Sequence, residues 1–201
     1  MTYIREVKFP FNVPYVDEYL IDEFRKEAQA EIKKNPLVQN YGIDYDATGV
    51  SESARAFFHT KGYDIVGCEY FYFEPFFAMG IHIDGSKYCY KSKFNWVINK
   101  NVTHVFKFFE PLEEGKSDAH NDGNSPYSLQ FDETMVEQKA SDVIRTPSLC
   151  KVGVPHQVIN GPKVLELFNI CVWKRGVKRS HPDLGGMDME DALRDFNEYL
   201  I

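Results

Sequence analysis

The sequence predicts a mainly β fold, an all-β sandwich or jelly roll with α-helices flanking it. Three observations carry this. Between residues 63 and 173, short stretches rich in aromatic and β-branched residues alternate with turn residues at close intervals. No amphipathic helical pattern interrupts that span, as a doubly wound α/β sheet would require. Helical periodicity is confined to the segments before and after it.

The elements follow in order. Residues 1–14 are apolar and broken by proline, which suits an extended arm or edge strand. From Pro14 to Lys34, Val16, Leu20, Phe24, Ala28 and Ile32 repeat at helical spacing, with Asp17 and Glu18 at the start and Lys33 and Lys34 at the end. Asn35-Pro36 stops this helix. Ser51 caps a second helix reaching Thr60, and Lys61-Gly62 ends it. Strands are expected at Tyr63–Phe73, around His82, at Phe94–Ile98 and at Val102–Phe109, with Asn99-Lys100-Asn101 as a tight turn between the last two. Residues 112–126 carry no apolar period and are expected to form the most mobile internal segment, near the pocket mouth, as a plain solvated loop or a lid. Further strands are expected at Tyr127–Phe131, around Asp142–Arg145, at Leu149–Val154, at His156–Ile159 and at Lys163–Trp173, and Asp188 caps a last helix. The expected organisation is one domain: helical support over 1–62, the β core over 63–173, and a tail with a helix over 174–201.

Composition narrows the function. A hydrophobic content of 43% is enough for a real core. The net charge of −7 argues against unspecific binding to nucleic acid phosphates. No run approaches the length needed to span a bilayer. The stretch Met1-Thr2-Tyr3-Ile4-Arg5-Glu6 lacks a signal-peptide pattern, and Cys68, Cys89, Cys150 and Cys171 are widely spaced with no Cys-x-x-Cys pair. Both features lead to the expectation of a cytoplasmic protein with reduced thiols.

The chemistry centres on Met79-Gly80-Ile81-His82-Ile83-Asp84-Gly85. Side chains alternate along a strand, so His82 and Asp84 share a face and Ile83 points away. Three His-x-Asp triplets occur, at His82, His120 and His181. Only His82 follows a long strand-like stretch and has a later histidine, His156, in another. Two histidines and a carboxylate with the remaining positions open form the donor set associated with non-haem Fe(II). Asn95 or Trp96 is expected to line the pocket, since only one of them can face inward. His59 and His104 are expected to be structural or surface residues.

Taken with the order His82, Asp84, His156, the chain resembles the Fe(II)- and 2-oxoglutarate-dependent oxygenases. Their core is a double-stranded β-helix, and their metal triad is an early His-x-Asp/Glu and a late histidine. The stretch from Asp142-Val143-Ile144 to Pro155-His156-Gln157-Val158 is similar to the family's approach to its distal histidine. The resemblance implies Fe(II) held by His82, Asp84 and His156, with 2-oxoglutarate chelated beside it. Dioxygen would be the oxidant, and a small molecule or a side chain the substrate. Many members carry an arginine after the distal histidine to pair with the far carboxylate of 2-oxoglutarate. Here Glu166 stands at that position, so the implied anchor is Lys163, or else Lys93 on the strand after His-x-Asp. Tyr72 or Tyr90 would hydrogen-bond the cosubstrate. Two other readings stay open: a cupin-like metalloenzyme without 2-oxoglutarate, and a non-catalytic jelly-roll module.

Overall fold

The computed structural model describes residues 2–11, 18–84, 91–99, 102–112, 128–178 and 185–201. The mobile segment expected over 112–126 falls almost wholly outside them, as do Tyr90, His120 and His181.

The first described strand, β1 (Ile4–Glu6), is short and lies at a sheet edge, as the proline-broken arm suggested. Helix α1 (Glu18–Lys34) carries Ile21, Phe24 and Ala28 on its buried side. Strand β2 (Asn40–Tyr45) was not anticipated; its polar Asn-Tyr-Gly-Ile-Asp-Tyr run has no clean alternation because it is an edge strand beside β3. Helix α2 (Glu52–Thr60) is capped by Ser51, whose side chain accepts from the Ala54 amide at 3.3 Å. The core strands are β3 (Tyr63–Phe73), β4 (Ile81–Asp84), β5 (Lys93–Val97), β6 (His104–Pro111), β7 (Ser128–Phe131), β8 (Val136–Asp142), β9 (Ser148–Cys150), β10 (His156–Asn160) and β11 (Leu165–Lys174). Helix α3 (Met189–Asp195) follows, with the Asp188 side chain accepting from the Asp191 amide at 2.7 Å.

Among the described residues these strands form two antiparallel sheets, ordered β1-β9-β5-β11-β3-β2 and β7-β4-β10-β6-β8. From β3 to β6 the chain changes sheet at every step, and it does so again from β8 to β11. That strand order is a jelly roll, the double-stranded β-helix. It corrects two expectations. Strands β5 and β6 lie in different sheets, so the segment around Asn99 crosses between sheets and is no hairpin turn. The strand expected around residues 142–145 occupies Val136–Asp142 instead. Its polar Val-Glu-Gln-Lys-Ala-Ser-Asp sequence is tolerated because β8 is an edge strand with mostly exposed side chains.

The six-stranded sheet is buried on both faces. Its outer face packs on the helices: Tyr70, Tyr72, Phe94, Trp96, Phe168 and Ile170 meet Phe24, Ala28, Phe58 and Phe196. Its inner face closes on the second sheet, where Phe73, Leu165 and Leu167 meet Phe106, Phe108 and Val158. Burial on both sides explains why β11 reads as a nearly continuous apolar run. Glu166 interrupts that run on the helix side. Arg25 of α1 donates to it from Nε and Nη2, each at 3.0 Å, and the Tyr70 hydroxyl donates at 2.9 Å. No helix among the described residues is long and apolar enough to cross a membrane.

Phe58 is fully buried, with ring centroids of Phe94, Phe196 and Phe9 at 5.1, 5.6 and 5.7 Å. Phe58→Ala is expected to cost about 3–5 kcal/mol in chemical denaturation. Leu37→Ala, at a residue 91% exposed, should stay within about 0.5 kcal/mol of the parent.

Candidate metal centre

Alternation along β4 puts Ile81 into a small apolar cluster with Phe109 and Val136, and turns His82 and Asp84 to the other face. His156 opens β10 and is the direct cross-strand partner of His82. Their rings lie 4.3 Å apart between centroids, and Phe108 on β6 stands 6.3 Å from the His156 ring. Both histidines are buried.

The two imidazoles are held in the same way. His82 Nδ1 donates to the Gly80 carbonyl at 2.8 Å, and His156 Nδ1 donates to the Val154 carbonyl at 3.0 Å. A carbonyl oxygen can only accept, so each Nδ1 carries the proton and a neutral ring keeps its lone pair on Nε2. Burial, followed by the neighbouring His82, pushes His156 down to about 4, so it is neutral near pH 7. Asp84 Oδ1 lies 3.3 Å from His82 Nε2 and 3.7 Å from His156 Nε2. All three candidate ligand atoms fall within 4.8 Å of one another. Lone pairs and a carboxylate oxygen repel unless a cation sits between them. Cis ligands on a divalent ion with bonds of about 2.1 Å lie about 3 Å apart, close to the spacing seen here. The donor set of two imidazoles and one carboxylate therefore fits a divalent transition metal.

Behind Asp84 stands a buried charge network. Lys93 Nζ lies 2.8 Å from Asp84 Oδ2, and 2.9 and 2.7 Å from the two oxygens of Glu69. Asn169 Nδ2 donates to Glu69 Oε2 at 3.1 Å. Burial alone would raise the Asp84 carboxyl, but the Lys93 ammonium beside it outweighs burial and holds it well below the usual carboxylate range. Burial alone would lower Lys93, but Asp84 and Glu69 hold it well above its ordinary value. Both groups are therefore ionised. The nearby Cys171 thiol is pushed up, first by burial and then by Glu69, so it stays protonated and is no nucleophile.

The structure sorts the remaining sequence candidates. Asn95 faces inward with Lys93, donating to the Lys93 carbonyl at 3.1 Å, while Trp96 belongs to the helix-side core. Tyr72 also lies in the helix-side core, with Tyr70, and so does not face the site. The inward positions beyond Glu69 on β3 are Phe71 and Phe73. Lys163 is exposed in the turn between β10 and β11, not on a strand. From His156 to Asn160 the chain runs about 13 Å away from the site before reaching that turn. The inward residues that follow, Leu165 and Leu167, are apolar, so Lys163 does not reach the triad. Lys93 does adjoin it, but as the partner of Asp84 and Glu69. His104 is a buried structural histidine whose Nε2 accepts from the Ile144 amide at 3.2 Å. His59 is exposed, beside Asp64. Glu69 and Asn169 escaped sequence reasoning. Their signal was present: Glu69 stands between Cys68 and Tyr70, and Asn169 between Phe168 and Ile170, polar residues set among apolar neighbours in the middle of strands.

No protein-family model and no curated protein matches the chain. Solved structures with a distant likeness exist. One is an oxalate oxidase in complex with the substrate analogue glycolate, 14% identical, covering 68% of this chain and 51% of that one, with a TM-score of 0.36. A recombinant oxalate oxidase in complex with glycolate is 15% identical, with the same coverages and a TM-score of 0.31. CapF with the inhibitor 3-isopropenyl-tropolone is 11% identical, covering 63% of this chain and 31% of that one, with a TM-score of 0.26. The chain thus spans about half or less of the chains it matches. The jelly-roll assignment rests on the strand order described above.

His156 and His104 each have a folded pKa of about 4, below the ordinary 6.5, with burial the main cause. The unfolded chain binds more protons than the folded one between those values, so metal-free stability should fall as pH drops from about 6.5 to about 4. Urea unfolding across that range measures it. A flat profile would contradict the buried neutral histidines.

Proposed function

We propose that this chain is a mononuclear non-haem Fe(II) oxygenase that uses 2-oxoglutarate and dioxygen to hydroxylate a small molecule or a side chain. The observation that carries the reading is the convergence of His82 Nε2, His156 Nε2 and Asp84 Oδ1 on one point between the sheets of a jelly roll. Bound iron would supply the activation of dioxygen. The chain's own part is to hold and to exclude. The Gly80 and Val154 carbonyls fix the two rings with their lone pairs toward the ion. Asp84 brings the negative charge. Phe108 and the apolar inner core beyond it keep bulk water from the far side. The described cysteines, Cys68, Cys150 and Cys171, are buried and unpaired, in keeping with a reducing cytoplasm.

A second reading, a cupin-like metalloenzyme that does not use 2-oxoglutarate, has specific support. Lys93 is already engaged by two carboxylates, Lys163 is exposed at the far end of β10, and Leu165 and Leu167 fill the inner positions beyond it. Anaerobic titration separates the readings. Fe(II) followed by 2-oxoglutarate should give a metal-to-ligand charge-transfer band. Tight Fe(II) binding without the band selects the second reading. Absence of Fe(II) binding leaves a non-catalytic module.

His82→Ala, Asp84→Ala and His156→Ala should each weaken Fe(II) binding by more than about 100-fold, since even outer partners of metal ligands are worth 10–100-fold. Equilibrium dialysis against Fe(II) under anaerobic conditions measures this. A triad variant that keeps parental affinity would remove that residue from the ligand set.

A further inference from the structure

The two oxygens of Asp84 have different partners. Oδ1 faces both histidine Nε2 atoms, at 3.3 and 3.7 Å. Oδ2 is held by Lys93 Nζ at 2.8 Å. Lys93 is itself braced from behind by both oxygens of Glu69, at 2.7 and 2.9 Å, and Glu69 by Asn169 Nδ2 at 3.1 Å. These braces come from three neighbouring strands of the opposite sheet: β5 carries Lys93, β11 carries Asn169 and β3 carries Glu69. The Lys93 side chain is 4% exposed.

We propose that Lys93 is a positioning residue that keeps Asp84 a one-oxygen ligand, with Glu69 and Asn169 holding Lys93 in place. The proposal rests on the metal reading above. A carboxylate can bind an ion through one oxygen or both, and two-oxygen binding requires both to turn toward the ion. Turning Oδ2 away from Lys93 would break a charge-assisted hydrogen bond in a mostly buried setting and leave Lys93 with Glu69 as its one carboxylate partner among the described residues. The carboxylate torsion is therefore set from across the sandwich, not by β4 alone. The consequence is a count of open positions. Two histidines and one carboxylate oxygen leave three sites on an octahedral ion. A chelating oxo acid needs two and dioxygen one. A bidentate Asp84 would remove one of them and shut out one reactant. The same geometry explains a buried lysine beside a cation site, where charge alone would disfavour it: its charge is matched by Glu69, and its work is directional.

Water-proton relaxation of the Mn(II)-loaded protein tests this, because relaxivity follows the number of waters on the ion. The double variant Lys93→Met/Glu69→Gln removes the clamp without leaving Glu69 ionised and unpaired. Its relaxivity per bound ion is expected to fall by about a third, as Asp84 takes a second position. Unchanged relaxivity in the folded, Mn(II)-binding double variant overturns the positioning role and leaves the metal reading intact. A wild-type chain that retains neither Mn(II) nor Fe(II) overturns both. Should the double variant fail to fold, a structure of the Mn(II)-loaded wild type decides. Ligation through Oδ1 alone, with Oδ2 still on Lys93, supports the proposal. A bidentate Asp84, or Lys93 displaced from Oδ2, refutes it.

Discussion

The carboxylate of Asp84 is the point on which the two sheets meet by charge rather than by apolar packing. It belongs to β4 in the five-stranded sheet, and its oxygens reach the histidines of that sheet on one side and Lys93 of the six-stranded sheet on the other. Burying one such carboxylate unpaired would push it to protonate. Pairing with Lys93 keeps it ionised, and Glu69 keeps Lys93 from carrying an excess of its own. Each charge in this set is tolerable only because the next is in place, so the register of β3, β5 and β11 is tied to the geometry of the metal centre.

That tie divides the inner face of the six-stranded sheet. Glu69, Asn169, Asn95 and Lys93 lie together across β3, β11 and β5 at the end facing the triad. Beyond them, Phe73, Leu165 and Leu167 meet Phe106 and Val158 in a dry core. Polar groups collect where a cation and its partners would reward them, and the rest of the interior follows ordinary hydrophobic packing.

The outer face has a separate logic. Helices α1 and α2 cover an aromatic layer, and Glu166, a charged residue that β11 places there, is satisfied by Arg25 and Tyr70. Glu166 stands where a cosubstrate arginine would be expected from family resemblance, yet it points away from the interior. Its charge serves the attachment of α1 and has no bearing on the site.

Much of this was legible in the sequence because it depends on local periodicity. Alternation alone put His82 and Asp84 on one face. Aromatic and β-branched runs marked the strands, and Ser51 and Asp188 marked helix starts through hydrogen bonds that span only three residues. The tertiary structure decided what local rules do not reach. Whether Tyr72 faced in or out depended on which side of β3 the helices cover. Whether Lys163 or Lys93 adjoined the triad depended on how far a five-residue strand carries the chain, and on which sheet β5 joins. The clamp on Asp84 joins residues far apart in the chain, brought together by antiparallel pairing across β3, β11 and β5 and by the face-to-face packing of two sheets. A sequence states which side chains are polar; only the packing of one sheet on the other determines which of those polar groups share a buried space and must neutralise one another there.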